Sequence, residues 1–211
     1  MGALPQFLRQ RLGVVHILLA MALVITFSAG CHTTPPVDMQ PLEAAGMGYE
    51  AMSQLKALGV TTAEVAQIAA ARQAGFSDAA CLQLVQLYRA RKQPFDAGQT
   101  IAGLIGAGTS EATVMSLARL NQLGLNAGEF EAMRLAGLSD QILLAEAQHR
   151  AASEPTLSGA SLASMKNLGL RSDTLLQLVE HGVPDADAAQ ILAARRRGAK
   201  DTEILREFAG S

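Results

Sequence analysis

From Pro41 onward the chain shows no strand-like alternation of apolar and polar positions. Its apolar residues fall instead into short runs with helical spacing, which points to amphipathic α-helices. Glycines punctuate these runs at Gly59, Gly75, Gly108, Gly124, Gly137, Gly169, Gly182 and Gly198, most of them followed by an apolar residue and then a polar one. A glycine after a helix supplies the left-handed position that closes it, and the next apolar residue packs back on the last turn. A Ser, Thr, Asn or Asp then opens the following helix by accepting a free amide. The pattern predicts helices over 42–58, 61–73, 77–92, 96–106, 109–122, 126–135, 139–152, 158–168, 172–181, 184–196 and 200–209. Thr61 with Glu64, and Asn126 with Glu129, have the spacing of reciprocal capping boxes.

A longer self-similarity organises these helices. The stretch Ile68-x-x-Ala71-Arg72-x-x-Gly75-Phe76-Ser77-Asp78-x-x-Cys81-Leu82 returns as Phe130-x-x-Met133-Arg134-x-x-Gly137-Leu138-Ser139-Asp140-x-x-Leu143-Leu144. It returns again as Ile191-x-x-Ala194-Arg195-x-x-Gly198-Ala199-Lys200-Asp201-x-x-Ile204-Leu205. The three glycines fall at nearly equal intervals, and the pairs Pro94 and Pro155, Gly98 and Gly159, and Gly108 and Gly169 keep the same interval. The expected fold is all-α, a tandem repeat of short helices with a period of about 61 residues. Its units are 41–93, 94–154 and 155–211, the first short of one helix. Most of these helices are shorter than the roughly 12–15 residues at which an isolated helix is marginal in water, so neighbours must hold them in a shared stack.

The most apolar stretch lies outside the repeats. Arg9 and Arg11 precede Leu12–Phe27, which is nearly free of polar residues, and the small residues Ser28, Ala29 and Gly30 follow. This is the layout of a secretory signal peptide. Ser28-Ala29-Gly30-Cys31 resembles the lipobox of bacterial lipoproteins, with Ser28 where that motif usually has Leu, Val or Ile. The resemblance implies removal of residues 1–30, diacylglyceryl modification of the Cys31 thiol and acylation of the new amino terminus. Two readings remain beside it: ordinary cleavage after Gly30, and an uncleaved anchor, since the stretch Leu12–Ala29 is just long enough to cross a bilayer. Residues 31–40 include Pro35 and Pro36, which exclude a helix, and read as a flexible tether to the helical domain 41–211. His32 stands where some bacterial lipoproteins carry the Asp that retains them at the inner membrane. The resemblance therefore implies an anchored, periplasm-facing protein of the bacterial cell envelope, with the outer membrane favoured over the inner.

Charge and cysteine content narrow the function. Of 17 basic and 19 acidic residues, only Arg9 and Arg11 precede Cys31, so the remainder carries a net charge of −4. A weakly acidic chain with no basic stripe is not a nucleic-acid binder. Once Cys31 is lipidated, Cys81 is alone, and Leu143 and Ile204 at the matching repeat positions mark it as a small core residue. Tyr49, Phe76, Tyr88, Phe95, Phe130 and Phe208 fall on apolar faces and read as core.

Candidate chemistry is sparse. His149 and His181 sit at helix ends, where a cation is favoured, with no metal-ligand partner at helical spacing. Ser53-Gln54-Leu55-Lys56 matches the SxxK spelling of penicillin-recognising enzymes but lacks the companion Lys-Thr/Ser-Gly element. No catalytic residue, cofactor or metal site is expected. Arg72, Arg134 and Arg195 lie in last turns and Asp78, Asp140 and Asp201 in first turns, where each suits the helix dipole and the two can pair across the corner. Their recurrence in every unit speaks for architecture. Arg89-Arg91-Lys92 and Arg195-Arg196-Arg197 read as solvated helix ends. The expected function is a non-enzymatic protein-interaction or scaffolding module with an unidentified envelope partner. An envelope hydrolase built on His149 or His181, and a structural subunit of an envelope complex, are the alternatives.

Overall fold

Twelve α-helices and one 3-10 turn make up the regular structure of the residues described by the computed structural model, 36–124 and 126–210, and no strand occurs among them. The expected signal peptide, Cys31 and the first half of the expected tether lie outside the described residues. The helices are α1 (Gln40–Ala44), α2 (Tyr49–Ala57), α3 (Thr62–Gln73), α4 (Asp78–Ala90), α5 (Gly98–Gly106), α6 (Glu111–Arg119), α7 (Ala127–Leu135), α8 (Asp140–Ala152), α9 (Gly159–Asn167), α10 (Ser172–Glu180), α11 (Ala188–Arg196) and α12 (Asp201–Phe208). The 3-10 turn, Asp185–Asp187, leads into α11.

One kind of turn closes every helix from α1 to α11. At the end of α7, for example, the Gly137 amide donates to the Arg134 carbonyl at 2.9 Å and the Leu138 amide to the Met133 carbonyl at 3.1 Å. This is a Schellman turn, and it requires a left-handed residue. Glycine fills that position at eight ends, whereas Lys92, Asn121 and Ser153 fill it after α4, α6 and α8. Ser77, Ser110, Ser139 and Ser158 then open α4, α6, α8 and α9 by accepting an amide from the first turn.

The helices pair into six hairpins, α1–α2 through α11–α12, stacked in two layers. Each odd-numbered helix packs on the next odd-numbered one, and each even-numbered helix on the next even-numbered one. A single apolar core runs between the layers, built around residues such as Phe76, Leu84, Ile101, Phe130, Leu138 and Leu175. Glycine sets the spacing of the odd layer. A Cβ at Gly98 would lie 1.9 Å from the Gln67 carbonyl oxygen, and Cβ atoms at Gly103 and Gly159 would crowd the side chains of Glu131 and Glu129. Val37–Ser211 thus forms one compact unit.

Three expectations need correction. The predicted helix 42–58 is broken at Gly46, whose φ is 76°, so 41–93 holds four helices like the other units. Gly46 is followed by Met47-Gly48 rather than by a hydroxyl cap, which hid the break. Gly124 does not close a helix; Asn121 does so earlier in the chain, since an Asn side chain tolerates the left-handed region. Tyr49 is 85% exposed at the start of α2 instead of core.

Candidate functional site

The recurring Arg and Asp residues form a staple between hairpins. The guanidinium groups of Arg72, Arg134 and Arg195 donate to the carbonyls of Phe76, Leu138 and Ala199 beyond the turn. They also reach the preceding hairpin, donating to the carbonyls of Gly46, Gly108 and Gly169 at 3.1, 2.6 and 2.6 Å. Each pairs with its Asp: Arg72–Asp78 at 2.6 Å, Arg134–Asp140 at 3.5 Å and Arg195–Asp201 at 3.0 Å. The Asp in turn accepts the amide that opens the previous even helix, from Gly48, Ser110 and Arg171. Burial raises the carboxyls of Asp140 and Asp201, but bonds from Ser110 and Thr113, or from Arg171 and Thr174, together with the paired Arg, outweigh it and hold both below the usual range. Gly75, Gly137 and Gly198 supply the left-handed turn that brings Arg back over Asp.

A second clasp joins the alternate hairpins at the opposite turns. Glu64 of α3 is buried and accepts from Arg89 at 2.7 Å, from the Phe95 amide at 2.9 Å and from its own cap Thr61. Burial opposes ionisation there, yet those bonds lower its carboxyl to about 2. Glu129, also the third residue of its helix, accepts from Arg150 at 2.7 Å and from the Gly159 amide of the following hairpin at 2.5 Å. The expected capping box of Asn126 and Glu129 is therefore absent. Asn126 has helical backbone angles unsuited to a cap and donates to Gln122 instead. Asp185 joins hairpins similarly, accepting the Ser158 amide and the Ser161 hydroxyl.

The basic runs also serve the stack. Arg89 and Arg195 belong to the clasp and the staple, and Arg91 donates to the carbonyls of Ala118 and Arg119 and to Asn121. Lys92, Arg196 and Arg197 are exposed as expected. The carbonyls that Arg91 meets belong to the following hairpin and carry no mark in the sequence. Glu146 had no sequence signal either: it is fully buried on α8, bonded to Arg150 Nε, with its second oxygen unpartnered.

His149 faces Glu154 at 3.0 Å, while His181 Nδ1 contacts the Gln177 carbonyl oxygen at 2.7 Å. Ser53 and Lys56 are exposed on α2. Cys81 is buried, which pushes its thiol up to about 12 and leaves it unreactive as a nucleophile. No group of three or more His, Cys, Asp or Glu side chains placed to hold a metal occurs among the described residues. No helix among them is long and apolar enough to cross a membrane.

An open cleft of about 480 Å³ lies at the edge where two connections meet, α4 to α5 and α6 to α7. Tyr88, Gln93, Pro94, Asp96, Asn121 and Asn126 line it. Tyr88 is held from below by an edge-to-face contact with Phe95, ring centroids 5.3 Å apart. Burial, with the Asp96 carboxylate beside it, raises the Tyr88 hydroxyl above its ordinary value. The cleft thus presents hydroxyl and carboxylate groups over an aromatic floor, beside Asn121 and Asn126, which are bonded to Arg91 and Gln122. Comparison of the chain with protein-family models, with curated proteins and with solved structures finds no match.

Proposed function

We propose that the chain is a lipid-anchored lipoprotein of the bacterial cell envelope whose helical stack acts as a non-enzymatic interaction or scaffolding module. The cleft between the α4–α5 and α6–α7 connections carries this reading. It is open to solvent and lined largely by polar side chains. The lipobox-like Ser28-Ala29-Gly30-Cys31 supports the anchor, with triacylation at Cys31 giving the two or more chains that stable membrane residence needs. The tether then holds the stack at the periplasmic face, the outer membrane favoured.

The test is affinity capture with the tagged, membrane-extracted full chain beside its Asp96→Arg and Gln93→Arg variants. A partner recovered with the parent chain and lost with both variants supports the reading. Recovery of no partner together with turnover of an envelope substrate overturns it. Intact mass measurement reads the anchor: a chain beginning at Met1 without lipid removes it. Exposed Tyr49 and Leu135, at 85% and 72%, favour a second reading as a structural subunit of an envelope complex; a partner retained by the cleft variants but lost on Leu135→Glu selects it.

A further inference from the structure

Among the described residues two carboxylates are buried, Glu64 and Glu146, and they are equipped very differently. Glu64 receives bonds from Arg89, Thr61 and Phe95. Glu146 receives one, from Arg150 Nε, and its Oε2 is buried without a partner. Arg150 is already committed elsewhere: Nη2 holds Glu129 at 2.7 Å, and its guanidinium carbon sits 5.6 Å from the centre of the Phe130 ring. The first clasp therefore balances one carboxylate with one guanidinium, whereas the second sets two carboxylates against one. Arg150 stands one repeat period after Arg89, and the same offset carries Glu146 back onto Val85, a fully buried apolar residue. An aliphatic position of one clasp is thus an acid in the other.

A surplus charge in an apolar site is relieved most simply by a proton. We propose that Glu146 is a proton-binding site that sets the grip of the joint between the fourth and fifth hairpins. Protonated, it leaves Arg150 to Glu129, and Glu129 to the Gly159 amide that opens α9. Ionised, it divides Arg150 between two carboxylates and leaves a net negative charge in the core.

The surroundings agree. Burial pushes the Glu146 carboxyl up to about 7, Arg150 opposing and Glu129 adding to the rise. Glu129 is the charged group that α7 turns toward it. On α6, Glu111 bonds to Ser77 and Arg119 is exposed; on α10, Asp173 and Glu180 are exposed. His149, on the neighbouring position of α8, faces Glu154. A carboxyl raised on folding stabilises the fold below its unfolded value, near 4.5. That contribution is lost as pH rises toward about 7.

Hydrogen exchange on the full chain tests this between pH 5 and pH 7.5, corrected for intrinsic exchange, with the start of α5 as the internal reference. Protection at the start of α9 is expected to fall at least about tenfold relative to α5 in the parent chain. It should stay level in Glu146→Gln and in Glu146→Val, the residue of the other clasp. A level parent profile, or an undiminished fall in Glu146→Gln, overturns the proposal. The near-isosteric Gln variant decides the matter even if the Val variant does not fold.

Discussion

Asp140 shows how one carboxylate comes to belong to two hairpins. Its position in a first turn follows from the dipole, and its recurrence as Asp78 and Asp201 is visible in the sequence. The Ser110 amide and Thr113 hydroxyl whose bonds it accepts belong to the preceding hairpin. Removing it strips the exposed Ser110 amide and the hydroxyl of the buried Thr113 of their acceptor. Asp140→Ala should therefore lower unfolding stability by about 1–3 kcal/mol, read by urea titration. Asp173→Ala, whose parent side chain is 82% exposed and 3.8 Å from Arg171, should stay within about 0.5 kcal/mol of the parent. An Asp140→Ala chain of unchanged stability that loses its partner would move this pair from architecture to an interface. Arg91 was legible only as a cation near a helix end; that it caps α6 depends on carbonyls, which every residue possesses and none advertises.

Helices were the most legible feature, because the signals that start and stop them act between near neighbours in the chain. Gly137 and Gly169 announce their turns, since left-handed backbone is readily available to glycine. Lys92 and Ser153 adopt the same conformation with no local signal, held by the hairpins they connect. Glycines inside the helices differ among themselves. A Cβ at Gly98 would stand 1.9 Å from the Gln67 carbonyl oxygen, whereas one at Gly128 would meet open space. Gly98→Ala must push α3 and α5 apart and should destabilise by about 3 kcal/mol. Gly128→Ala should instead stabilise by about 0.5 kcal/mol, because alanine loses less freedom on entering a helix. Thermal melts followed by circular dichroism compare the two, and equal shifts would refute the close approach in the odd layer.

The whole stack responds to pH through two sets of groups of opposite sign. Burial opposes ionisation of Glu64, Asp140, Asp185 and Asp201, but hydrogen bonds, chiefly from Arg89 in its own hairpin for Glu64 and from the preceding hairpin for the three Asp, hold them below their ordinary values. Their contribution is present above the unfolded carboxylate values, about 4, and is lost as pH falls through the lowered ones. Glu146 acts in reverse, contributing below about 4.5 and losing that contribution as pH rises toward about 7. Stability measured by urea unfolding should peak near about pH 5, and Glu146→Gln should flatten the upper limb while leaving the acid limb intact. A parent profile rising steadily from pH 5 to 8 would contradict that balance. The all-α class, most helix boundaries and the recurring Arg, Gly and Asp positions were readable from the chain alone, because propensity, glycine turns and caps are interactions between near neighbours. The Arg–Asp pairs across the turns and the Thr61–Glu64 box were legible too. The two-layer order, the reach of staple and clasp into the neighbouring hairpin, the cleft and the burial of Glu146 came only with the folded stack. Each depends on groups a full hairpin apart along the chain, joined largely through backbone atoms that look the same at every position.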